Sequence, residues 1–174
     1  MQDKEELLDE IFESALENEM KYFGCSQAVL GTLKKNLSGV NAEVFRAGSA
    51  LAGGVARQGE TCGALIAAIM VIGSVIGRER LEDFEQYQEA MEPATRVYNM
   101  FKERVGHTLC AGIHKRRFGK AFRLSIPEER EAFENAGGHK REGCPEVCGI
   151  AARTAAEVIL DIKREIVVFL TSTL

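Results

Sequence analysis

The residues of this chain best placed to do chemistry are its five cysteines, Cys25, Cys62, Cys110, Cys144 and Cys148. Three of them follow a turn or cap residue and open a helix-like run: Gly24-Cys25-Ser26-Gln27-Ala28-Val29, Thr61-Cys62-Gly63-Ala64-Leu65-Ile66 and Gly143-Cys144-Pro145-Glu146-Val147. A helix N-terminus presents unpaired N–H groups and the positive end of the helix dipole, so a thiol placed there is expected to ionise more readily. Thiolate is the form that attacks disulfides and ligates soft metals. Sulfur chemistry is therefore the expected function. Cys110, after Gly106-His107-Thr108-Leu109, ends one helix or begins another. Cys148 lies one turn beyond Cys144 inside an apolar stripe and reads as a core residue or a spare ligand.

The elements that must position these sulfurs are all helical. Leu7, Leu8, Ile11, Phe12, Ala15 and Leu16 recur at helical spacing and predict a first helix from about Asp3 to Tyr22. A second runs from about Cys25 to Leu37 and stops at Ser38-Gly39. Asn41 caps a short third helix reaching about Leu51. A fourth, capped by Thr61 and apolar on nearly all sides through Ile76, is the expected central helix. A fifth spans about Glu82 to Val105, kinked or divided at Pro93. The last covers about Pro145 to Leu170, with Pro in its first turn. Between them, about Ala111 to Gly143 is less regular, with a short helical segment at Pro127 to Asn135. The expected fold is one all-α domain over residues 1–174, a bundle of about five or six helices.

Composition narrows the function classes. At 174 residues, 45% apolar and 28% charged, the chain is long enough to bury a core. Its net charge of −4 makes nucleic acid a poor partner. The acidic start (Asp3, Glu5, Glu6, Asp9, Glu10) lacks the basic and apolar regions of a secretory signal. The longest apolar run, Ala64 to Gly77, is too short for a membrane span. An odd cysteine count without a signal argues against a secreted disulfide scaffold. A cytoplasmic protein with reduced thiols is expected.

Seven of the 17 glycines fall between Gly48 and Gly77, and Gly53 to Cys62 reads as a tight loop entering the fourth helix. It carries neither GxxxxGK[ST] nor GxGxxG, so it is not a phosphate loop. Of the histidines, His107 lies near Cys110 and reads as an exposed loop residue, or one that tunes or replaces a thiolate ligand. His114 sits in the basic cluster His114-Lys115-Arg116-Arg117, read as solvated surface, and His139 borders the Gly137-Gly138 turn. The carboxylates follow solvent-face spacing, as in Glu82, Asp83, Glu85 and Glu89. No catalytic residue is assigned.

Cys25 in Cys-Ser-Gln-Ala-Val, then Gly59-Glu60-Thr61-Cys62-Gly63-Ala64, then a lone Cys110, then Cys144 opening the final helix, resembles the CGCAxxGCC-motif family. These are small bacterial and archaeal proteins to which redox activity is ascribed. The resemblance covers about Ala15 to Ile159, with the cysteines in the same order. The family has a Gly where this chain has Ala67, and its fourth cysteine matches Cys144, which makes Cys148 an addition. A related domain occurs in split-Soret cytochromes, where it accompanies an iron–sulfur site. This chain lacks CxxCH, so covalent haem is not expected.

Four thiolates from separate helices, Cys25, Cys62, Cys110 and Cys144, would suit an iron–sulfur cluster for electron transfer, the preferred reading. Gly59, Thr61 and Gly63 are assigned beside it as cofactor-binding residues. Structural zinc is less suited, since no CxxC pair exists. A metal-free thiol–disulfide oxidoreductase or redox sensor is the second reading. The third is a dimerisation or binding module with structural cysteines, burying Ile162, Ile166 and Phe169 against a second copy. The redox partner is unspecified. A single site requires the starts of the second, fourth and last helices to meet beside Cys110, under the Gly53 to Thr61 loop. At least three of the four cysteines should then lie within about 8 Å of one another.

Overall fold

The computed structural model describes residues 3–37 and 40–172. Among them the regular structure is helical: α1 (Lys4–Tyr22), α2 (Cys25–Asn36), α3 (Ala42–Ala47), a 3₁₀ turn (Gly48–Leu51), α4 (Gly63–Ile76), α5 (Phe84–Val105), α6 (Cys110–Phe118), α7 (Pro127–Asn135) and α8 (Cys144–Ser172). The all-α class holds, but the described residues form eight α-helices rather than five or six. The difference lies mainly in the region read as irregular. There α6 and α7, nine residues each, are too short to give a strong periodic signal and bury few residues.

α4 is buried along Ala64, Leu65, Ala67, Ala68, Val71 and Ile72, as its all-round apolar sequence requires. It packs against α2, α5 and α8. α8 shares the central place, lying against α1, α2, α4 and α5. Its inward stripe of Ala151, Ala152, Ala155 and Ala156 is fully buried, and such small side chains let neighbouring helices approach closely. Pro93 does not divide α5, which is one continuous helix. Arg104 of α5 ties that helix to α8 through Glu157, with Nη2 2.8 Å from Oε2, and through Thr154 Oγ1 at 3.0 Å.

Two boundaries differ from expectation in ways that matter for the sulfurs. The N-cap of α4 is Cys62, not Thr61, whose backbone is instead engaged in an isolated bridge with Leu109. α8 begins at Cys144 itself. The expected stop at Ser38-Gly39 lies outside the described residues, as do the side chains of Ile166 and Phe169, while Ile162 is half-buried. No described helix is long and apolar enough to cross a membrane.

Candidate functional site: a four-cysteine cavity

Four helices begin at four cysteines. Cys25 is the first residue of α2, Cys110 of α6 and Cys144 of α8, and Cys62 caps α4. All four line one cavity of about 290 Å³, with Glu19, His114, His139 and Phe133 among the other wall residues. Cys148 does not line it. That residue is fully buried in the core, its thiol donating weakly to the carbonyl of Cys25 at 3.7 Å. All five thiols are free.

Local backbone pairing explains how Cys62 and Cys110 are brought together. The Cys62 N–H donates to Thr108 O (2.8 Å), Cys110 N–H to Glu60 O (2.7 Å) and Ala111 N–H to Gly59 O (3.0 Å). The segments entering α4 and α6 are thus stapled side by side. Gly59 and Thr61 belong to this staple and do not line the cavity. Gly63 does not line it either; a Cβ there would sit 2.9 Å from Cys25 Sγ and 2.5 Å from Leu51 O, so its missing side chain is what lets α4 approach α2 at the sulfur. α8 is set by Cys144 N–H donating to Gly138 O at 2.9 Å.

Ala52, Gly53 and Arg57 close one side of the cavity. Gly53, Gly54, Val55, Ala56 and Arg57 all have positive φ, at 68°, 72°, 57°, 50° and 65°. Five successive left-handed residues make a reversed helical turn. It is held by Ala56 N–H to Ala50 O (2.7 Å), Arg57 N–H to Ala52 O (3.1 Å) and Glu60 N–H to Gly54 O (3.0 Å). Three of the five carry a Cβ, each strained by roughly 1–2 kcal/mol. The sequence placed a loop here; the strain it did not reveal.

Four of the thiols, Cys25, Cys110, Cys144 and Cys148, are the reverse of acidified. Contact with Cys62 and burial push the Cys25 thiol well above its ordinary range, and burial does the same to Cys144 and Cys148. Cys110 is pushed up to about 12, first by burial and then by the repulsion its thiolate would meet from Cys25 and Glu19. For Cys25 and Cys144 this overturns the expectation of a low-pKa thiol at a helix start. The dipole's contribution is modest, whereas desolvation next to other potential anions is large. One opposing contact reaches Cys25, a hydrogen bond from the backbone of Gly53.

Two groups that the sequence assigned elsewhere belong to this site. His114 is 1% exposed rather than solvated. Its Nε2 lies 3.5 Å from Cys110 Sγ and 3.9 Å from Cys144 Sγ. The ring stacks on Phe133, centroids 4.7 Å apart, and burial pushes its pKa down to about 4. Glu19 is 2% exposed on α1, its Oε1 3.4 Å from His139 Nδ1, and burial raises its pKa. One clue was available for His114: it follows Cys110 by four residues, one helical turn. His107 instead accepts from Leu109 N–H at 3.0 Å and does not line the cavity.

Over residues 23–158 the chain matches the family described as "Putative redox-active protein (C_GCAxxG_C_C)". The protein belongs to that family. The match spans α2 to about the middle of α8 and takes in the start of every helix that begins at a cavity cysteine. No curated protein and no solved structure matches the chain.

The chemistry of the donor set bears on what a C_GCAxxG_C_C protein of this shape can hold. Four sulfurs line one cavity, whose other walls include Glu19, Glu134, His114 and His139. Among the described residues, no three His, Cys, Asp or Glu side chains converge closely enough to grip a single metal ion. Sulfurs spread around a cavity suit a group with volume of its own better than one tetrahedral ion, whose Zn–S bonds are only about 2.3 Å long. Thiols that are costly to ionise alone become thiolates when a cation accompanies them, since a coordinating thiol is deprotonated outright.

Proposed function

We propose that Cys25, Cys62, Cys110 and Cys144 hold an iron–sulfur cluster and that the protein carries single electrons. The observation that supports this reading is the convergence of four cysteine-headed helices on one cavity. The cluster, when bound, supplies one-electron chemistry at a potential set by its surroundings. The chain supplies those surroundings. Ile113, Phe133 and Val147 line the cavity with apolar surface and limit water, and the Gly53 backbone donates toward Cys25. On this reading the protein works in a reducing, cytoplasmic compartment with a one-electron redox partner, where free thiols persist.

Anaerobic purification with iron and acid-labile sulfide analysis tests it. Coloured protein containing both, whose visible band is lost in Cys62→Ser, is the expected result. Colourless protein that also resists reconstitution contradicts it.

A second reading, metal-free thiol–disulfide exchange, draws on the direct contact between the Cys25 and Cys62 thiols. Counting thiols before and after mild oxidation separates the two. Loss of two thiols per chain, restored by a reductant and mapped to Cys25 and Cys62, favours the disulfide reading.

A further inference from the structure

We propose that His114 donates its Nε2–H toward the sulfurs of Cys110 and Cys144 and so raises the reduction potential of the group they bind. The potential part of this rests on the cluster reading above; the hydrogen bonds do not.

Cys110 and His114 lie one turn apart on α6, so their side chains share a face. Nε2 is 3.5 Å from Cys110 Sγ and 3.9 Å from Cys144 Sγ, and so bridges the starts of α6 and α8. The rest of the ring is enclosed by Phe133, stacked at 26° between planes, and by Phe118 and Phe122, edge-on at 6.0 and 5.9 Å. A polar ring buried among phenylalanines needs a polar partner, and the sulfurs provide it.

The other nitrogen fixes the direction of the bond. Nδ1 is buried with no hydrogen-bond partner. A neutral imidazole carries one N–H. Were it on Nδ1, a buried donor would be orphaned, which folded proteins rarely tolerate. With the hydrogen on Nε2, Nδ1 keeps only an unfilled lone pair, the less costly defect, and the sulfurs must accept. A donor aimed at sulfur favours negative charge there. Hydrogen bonds to cluster sulfurs are among the factors that set the potential. His114 is thus a positioning and tuning residue rather than a ligand.

The test compares wild type with His114→Phe, which suits the aromatic cage, and His114→Gln, whose amide N–H can still donate. In metal-free protein, the ring-nitrogen NMR shifts of His114, assigned as those lost in His114→Phe, show which nitrogen carries the hydrogen. A hydrogen on Nε2 is expected; a hydrogen on Nδ1 with Nε2 bare overturns the proposal. In reconstituted protein, His114→Phe should lower the midpoint potential with iron and sulfide unchanged, and His114→Gln should recover part of the fall. Iron lost from both variants would make His114 a ligand and also overturn it. If wild type takes up no cluster, the cluster reading fails and the ring tautomer alone decides the direction of the hydrogen bonds.

Discussion

Glu19 of α1 meets His139, in the turn before α8, inside the cysteine cavity, with 3.4 Å between Oε1 and Nδ1. The second carboxylate oxygen, Oε2, is buried without a hydrogen-bond partner. Burial outweighs the attraction of His139, and the carboxyl pKa is raised above its ordinary 4.5. The same carboxylate raises the pKa of Cys25, Cys110, Cys144 and Cys148.

A raised folded-state pKa means that Glu19 contributes stability below its unfolded value, near pH 4.5, and that this is lost as pH rises through the folded value. Glu19→Gln should therefore stabilise the protein at pH 7 by an amount on the order of 1 kcal/mol, and the gain should vanish below about pH 4.5. Denaturant melts from pH 4 to 8 measure it. A variant less stable than wild type at pH 7 would show that the His139 contact outweighs desolvation.

Cys110 gives the alkaline counterpart. Its thiol is neutral in both folded and unfolded protein below pH 9.0, and the folded form holds its proton up to about 12. The sign is again that of a raised pKa: stability is fully present below pH 9.0 and falls as pH climbs toward 12. Melting temperatures from pH 7 to 11 should fall less steeply in metal-free Cys110→Ser than in wild type. Parallel curves would contradict the burial of this thiol.

The left-handed turn predicts an inverted glycine effect. Ala56 has φ 50°, and removing its Cβ relieves strain that glycine does not feel. Ala56→Gly should raise the unfolding free energy by about 1 kcal/mol, where glycine ordinarily weakens a chain through unfolded-state entropy. Chemical denaturation gives the answer directly; a loss of stability would mean that the turn is not left-handed at this residue.

How far the sequence carried the reading depends on what each residue's signal was. Leu8, Ile11, Ala15 and Leu16 recur at helical spacing over a long helix, so α1 and its buried face were legible. The helix at Pro127–Asn135 was legible from its Pro start, though α7 buries only Phe133. Cys25, Cys62 and Cys144 declared their helix starts through neighbouring glycine, threonine and proline. Cys110 did not, because the start of its helix is held by backbone bonds to Glu60 and Gly59, a long-range contact with no local signature. His114 was misread because it opens a basic run, and a run's average says nothing about one face of a short helix. Glu19 was missed for the same reason among the many exposed acids of α1. The Cys25 and Cys144 pKa values were misjudged because burial belongs to the assembled cavity and not to any one helix start.

Which cysteines a reconstituted cluster needs is the most direct test of the four-cysteine site. Cys25→Ser, Cys62→Ser, Cys110→Ser, Cys144→Ser and Cys148→Ser would be loaded side by side with iron and sulfide under anaerobic conditions, and bound iron per chain measured. The cavity predicts full loading in Cys148→Ser, whose thiol is buried in the core away from the site, and strongly reduced loading in each of the other four. Full loading in any of those four, together with loss in Cys148→Ser, would contradict it.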